Sequence, residues 1–176
     1  HLEKQGLGNT IIEKLDYENL KPDLKKWKKL CANIHQSSDF IEIGVVGKYV
    51  ELPDSYISVN EAIKHAAANN STKININWID SDSLTIENKN QYLDKMSGIV
   101  VPGGFGERGI AGMLEAAKFC REYEIPYLGL CLGMQIMVIE FSKNVLGLKD
   151  ANSTEFDLET SNPVIDIIES QKGLQE

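Results

Sequence analysis

The 176 residues hold three cysteines, three histidines and five prolines, and the scarcity of each narrows the reading. Cys31, Cys120 and Cys131 lie far apart without a CxxC pair, so neither a disulfide framework nor a zinc site is indicated, and a reducing, cytoplasmic compartment is expected. No apolar run approaches the roughly 20 residues that span a bilayer, and the first residues lack a signal-peptide pattern, so no membrane partner is expected. Excess positive charge is missing too. Lys and Arg number 18 against 26 Asp and Glu, a formal charge of −8, which argues against binding a nucleic-acid backbone. The one basic run, Lys21, Lys25, Lys26, Lys28 and Lys29, is interleaved with Leu24, Trp27 and Leu30 and reads as the solvated face of an amphipathic helix.

What is present is most informative around Cys131. The run Tyr127-Leu128-Gly129-Leu130-Cys131-Leu132-Gly133-Met134-Gln135 is an apolar strand that ends in a cysteine flanked by glycines and passes into a helical pattern. Small residues two before and two after the cysteine let strand and helix pack closely, which forces the side chain above the end of a parallel sheet as a nucleophile elbow. The helix that begins near Leu132 would point unpaired N–H groups at the sulfur and favour thiolate over thiol. Cys120 shares a helical face with Met113, Ala116 and Ala117 and reads as core. Cys31 reads as packing as well.

Periodicity organises the rest. Residues 1–39 carry two short helical patterns, Ile11-Ile12-Leu15 and Leu20, Leu24, Trp27, Cys31, and read as a connector arriving from a preceding domain. The chain begins at His1 and stops soon after a strand-like run, so it is expected to be a piece of something longer, with residues 40–176 a main domain incomplete at its C-terminal end. Within it, continuous apolar text at 40–47 predicts a buried parallel strand. Ser58-Val59-Asn60-Glu61 has capping-box spacing, and Val59, Ala62, Ile63, Ala66 and Ala67 form the stripe of the helix that follows. Further strands are expected at 73–79, 98–101, 126–130 and 163–168, with helices at 110–123 and 135–141. Such alternation predicts an α/β, doubly wound, mostly parallel sheet, whose ligands bind beyond the carboxyl ends of the strands.

The loop Pro102-Gly103-Gly104-Phe105-Gly106-Glu107-Arg108-Gly109 ends at that same edge. Gly104, Gly106 and Gly109 satisfy GxGxxG, yet the acidic residue a dinucleotide site needs is misplaced: Glu124 precedes the next strand rather than closing it. The glycines are better explained as backbone donors near the sulfur. An oxyanion hole is expected from the N–H of Leu132 together with that of Gly103 or Gly104. Gly47-Lys48-Tyr49 is no Walker loop, and Lys48 reads as an exposed loop lysine. No metal-ligand set stands out. A base for Cys131 is harder to find, since His1 is terminal, His35 lies in the connector and His65 falls inside a helix.

The elbow, with the glycine loop one βα unit upstream, resembles class I glutamine amidotransferases, a flavodoxin-like architecture. Together with that elbow, the segments Gly44 to Tyr56, Pro102 to Gly109 and Ala151 to Phe156 make the text similar to the glutaminase part of the CTP synthase family. The resemblance implies that Cys131 attacks the amide of L-glutamine to form a thioester, that Gly104 and Leu132 supply oxyanion donors, and that Gly104, Leu132, Gly133, Met134, Gln135 and Glu155 hold the substrate. It implies no cofactor in this part, ATP and Mg²⁺ with UTP in a synthetase domain of the same chain, GTP as activator, and a homotetramer. The family's His and Glu partners and a glutamine-binding Arg would follow Glu176, so the chain alone is expected to be inactive. Two other readings stay open: a DJ-1/PfpI-like protein, disfavoured because Leu132 rather than His follows the cysteine, and a noncatalytic fragment.

Overall fold

The computed structural model describes residues 2–17, 20, 23–36, 40–52 and 54–171, without the side chains of His35, Gln36 and Glu169. Its centre is a parallel sheet of β1 (Phe40–Gly47), β2 (Lys73–Asp80), β3 (Gly98–Val101) and β4 (Tyr127–Gly129) in the order β2-β1-β3-β4. β1 pairs with β2 from Phe40 opposite Lys73 to Gly47 opposite Asp80, and β3 sits between Val45 and Leu128 through Val100. Placement in the sheet follows from sequence. The uninterrupted Ile99-Val100-Val101 is buried inside, whereas edge strand β2 interleaves polar residues, with Asn75 exposed and Asn77 half-buried and both amides donating to Glu42 at 2.8 and 2.6 Å.

Helices α3 (Ile57–Asn69), α5 (Ile110–Glu122) and α6 (Leu132–Asn144) follow β1, β3 and β4, as the alternation predicts. The core runs through the sheet into α5 and α6, with Val46, Ile79, Ile99, Val101, Met113, Phe119, Leu132 and Ile136 almost wholly buried. Ahead of the sheet stand α1 (Leu7–Lys14) and α2 (Lys25–Gln36), and α2 is tied to α3 by Asn33 donating to the Ala68 carbonyl at 3.0 Å. A short α4 (Lys89–Leu93) was too brief to show in the periodicity. After α6 come β5 (Ala151–Ser153) and β6 (Asn162–Ile165), a separate parallel pair; β5 carries no apolar run by which sequence could mark it.

Several local expectations are corrected. The Ser58-to-Glu61 capping box does not form: α3 starts at Ile57 behind Tyr56, because the Tyr56 ring is buried beside Gly47, where an added Cβ would stand 2.7 Å from its hydroxyl. The buried face of α3 consequently falls on Ala67 and Ala68, with Val59 and Ile63 half-buried and Ala62 and Ala66 exposed. The second of the two helices ahead of the sheet begins only at Lys25, whose N–H is taken by Asp23, so Leu20 and Leu24 precede it. Cys31 is exposed rather than packed, whereas Cys120 is core as expected. The strand before the elbow is an edge with Leu128 half in solvent, and its helix runs on to Asn144.

One buried charge joins the two helices that carry the site. Glu140 of α6 accepts from Arg121 of α5 at Nε and a terminal nitrogen, 2.8 to 3.1 Å, and from Asn144 at 3.0 Å. Removing the guanidinium would leave a carboxylate nearly out of reach of water. Arg121→Met is therefore expected to lower stability by about 2 kcal/mol in urea unfolding, with Arg121→Met/Glu140→Leu regaining at least half of the loss. Equal instability of the single and double variants would show that Glu140 does not depend on its partner.

Candidate active site

Cys131 is the residue between β4 and α6, and its backbone is held at φ 53°, ψ −108°, a conformation that L-residues seldom adopt. The glycines on either side explain why it is held there. A Cβ on Gly133 would run into the Val101 carbonyl, and one on Gly129 would overlap the backbone of Gly133, so strand and helix are closer than any side chain allows. Tyr127 adds a clasp, donating its hydroxyl to the Gly133 carbonyl at 2.8 Å; burial raises its pKa. Gly133 and Met134 donate back to Leu130 and Cys131 at 3.0 Å, which closes the first turn. Cys131 ends up exposed at the carboxyl edge of the sheet, and the N–H of Leu132 has no carbonyl of its own helix to meet.

The glycine loop folds over to the same edge. Gly103 faces the cysteine: a Cβ there would lie 3.4 Å from Cys131 Cβ and 3.9 Å from Sγ. Gly104 sits between Lys48 and Leu132, where a Cβ would stand 3.2 Å from Lys48 Cδ and 3.4 Å from Leu132 Cδ2. The loop then curls through positive φ at Gly106 and Gly109, the latter capping α5.

Lys48 is the main correction to the sequence reading. It is not an exposed loop lysine but is 3 % exposed, its ammonium donating to the Phe105 carbonyl at 3.1 Å and to that of Gly106. Loss of solvent, then the nearby Arg108, lower its pKa, while Glu155 and Asp82 act the other way. Arg108 completes the loop's attachment by bonding the Lys48 carbonyl and Asp82 and lying 5.7 Å over the Tyr49 ring. Behind Lys48, the Tyr56 hydroxyl accepts from the N–H groups of Lys48 and Tyr49 at 3.1 and 3.3 Å, and its ring stacks on Trp78. The glycine motif marked the loop; nothing in local sequence marked Lys48, Tyr49 or Tyr56 as its supports.

The remaining candidates converge in part. Leu132, Gly133, Met134 and Gln135 form the first turn of α6, with Leu132 and Gly133 buried and Met134 exposed. The side-chain oxygen of Gln135 is buried without a partner among the described residues. Glu155 is exposed just after β5, its N–H bonded to Ser153, and close enough to Lys48 to be felt electrostatically. Histidine is another matter. His65 lies with Phe40 and Lys73 at the amino ends of β1 and β2, opposite to Cys131, and His1 and the His35 side chain fall outside the described residues.

Comparisons with known proteins agree with this geometry. A family model described as glutamine amidotransferase class-I matches residues 51–170. The chain is 49 % identical to CTP synthase of Methanocaldococcus jannaschii over 99 % of its own length and 33 % of that protein's, and 44 % identical to CTP synthase of Pyrococcus abyssi over 98 % and 32 %. It thus spans about a third of the length of the curated relatives it matches. Among solved structures, the glutaminase domain of Trypanosoma brucei CTPS with bound acivicin superposes with a TM-score of 0.70 at 39 % identity, covering 74 % of this chain and 51 % of that one.

The three thiols differ in exposure. Brief treatment of the native protein with iodoacetamide is expected to label Cys131 and Cys31 and to spare Cys120, whose thiol is raised to about 12 by burial, until the protein is unfolded. Peptide mapping reads this directly, and early labelling of Cys120 would contradict the packing described above.

Proposed function

The chain belongs to the class-I glutamine amidotransferases, and from that premise we propose that it hydrolyses L-glutamine through Cys131 and hands on the ammonia. The observation that carries the proposal is the strained elbow: Cys131 is held at positive φ above the sheet with Gly103 pressed against it and Gly104 against Leu132. In the proposed reaction the sulfur attacks the side-chain amide carbon of glutamine. The resulting oxyanion is received by the N–H groups of Gly104 and Leu132. Collapse breaks the carbon–nitrogen bond, the nitrogen leaves as ammonia after taking up a proton, and a glutamyl thioester remains, which water converts to glutamate and free thiol. Gln135, with its unpartnered amide oxygen, and Glu155, a carboxylate for the substrate's amino group, are the proposed substrate holders beside Gly133 and Met134.

Similarity over the whole chain to the CTP synthases supports a finer reading. The ammonia would aminate UTP to CTP in an ATP- and Mg²⁺-dependent synthetase domain of the same protein, with GTP as activator, in a homotetramer of the cytoplasm. No helix among the described residues is long and apolar enough to cross a membrane. A general base for Cys131 is not supplied by His65, so the proposed hydrolysis draws that group from outside the described residues.

Incubation with a diazoketone analogue of glutamine, or with acivicin, is expected to modify Cys131 and leave Cys31 and Cys120 free, as read by intact mass and peptide mapping. In the protein at its full natural length, Cys131→Ala is expected to lower glutamine hydrolysis by about 10³-fold or more. Modification at Cys31 in place of Cys131, or full turnover in the variant, would overturn the assignment.

A further inference from the structure

The Lys48 side chain is enclosed by the glycine loop. Its stem underlies Gly104, its ammonium meets the Phe105 and Gly106 carbonyls, and its own carbonyl is bonded by Arg108 from the loop's far end. We propose that Lys48 is a positioning residue for the chemistry at Cys131: by engaging the Phe105 and Gly106 carbonyls it turns the peptide planes of the loop so that the Gly104 N–H faces the sulfur. This rests on the amidotransferase reading above and deepens it.

Stability alone is a poor reason for a lysine there. Taking an ammonium out of water costs several kcal/mol, and an apolar side chain of similar volume at such a site is often neutral or better for folding. The carbonyls it engages belong to residues at the exposed tip of the loop, Phe105 and Gly106, rather than to the apolar core. What a water cannot do is fix their direction. Residues 103–106 are joined in series, so the Gly103–Gly104 peptide, which carries the Gly104 N–H, is coupled through the Gly104–Phe105 peptide to the two planes that Lys48 grips. Gly103 and Gly104 have no side chains by which they could be held otherwise. Tyr49 gives only a long contact, its hydroxyl 3.5 Å from the Phe105 nitrogen. The ammonium thus holds two successive carbonyls of the loop to the end of β1, beside the bond that Arg108 returns to the Lys48 carbonyl.

The test compares wild type, Lys48→Met and Lys48→Arg in the protein at its full natural length. Three reactions are followed: Cys131 modification by the diazoketone analogue, for its limiting rate and half-saturating concentration; Cys131 alkylation by iodoacetamide, for its rate; and glutamine hydrolysis, for kcat and KM. Lys48→Met is expected to lower the limiting rate and kcat by about tenfold or more. Its half-saturating concentration and KM should stay within about threefold, and its iodoacetamide rate within about twofold, since simple alkylation needs no oxyanion donor. Lys48→Arg, which keeps donors for two carbonyls, should regain part of the lost rate. An unchanged limiting rate in Lys48→Met overturns the proposal, as does a loss confined to KM or a parallel fall in iodoacetamide labelling. If Lys48→Met does not fold, Lys48→Gln, too short to reach both carbonyls, must show the same split. Failure of the wild type to be modified at Cys131 would instead sink the amidotransferase reading itself.

Discussion

The position of the thiol at the carboxyl edge of the sheet, and of the loop glycines that face it, depends on how closely α6 lies against β3 and β4. Gly133 rests on the Val101 carbonyl and Gly129 on the backbone of Gly133, with no side chain between. At that distance the chain can turn from strand to helix only through a single residue at positive φ, and Cys131 is that residue. The strain is sustained because buried Leu132 and Ile136 anchor the helix in the core and the Tyr127 hydroxyl holds its first turn. Close packing, not any property of sulfur, thereby decides where the thiol stands.

The second half of the site is built by different means. A glycine loop has no side chains to bury, so its shape is imposed from outside by charged and aromatic neighbours of β1: Lys48 beneath it, Tyr49 beside it, and Tyr56 holding the backbone of both. Arg108 returns the attachment from the loop itself to Lys48 and Asp82. The arrangement joins the ends of β1, β2 and β3 to β4, so that the edge where substrates are received in such sheets is one connected polar structure over an apolar core.

Sequence made the elbow legible because its constraint is local: Gly129, Cys131 and Gly133 at fixed spacing force one backbone geometry. The strand and helix order was legible for a similar reason, since each buried strand and each long amphipathic helix carries its own period. Lys48 was misread because its burial is produced by Phe105 and Gly106, some 57 residues away in the chain, and a lysine after a strand looks the same whether or not a loop closes over it. The capping box at Ser58 failed through a comparable long-range effect, Tyr56 being drawn in beside Gly47 and onto Trp78. β5 was missed because a three-residue strand reading Ala-Asn-Ser has neither period nor propensity to announce it.

The stack of Tyr56 on Trp78 also gives the protein an optical handle. The chain has two tryptophans, Trp27 the more exposed of them, and replacing it with phenylalanine leaves Trp78 as the sole indole emitter. That indole lies parallel to a ring whose hydroxyl holds the backbone of Lys48 and Tyr49, at 6.2 Å between centroids. Its brightness and colour accordingly report, without any label, on whether the floor beneath the glycine loop is in place.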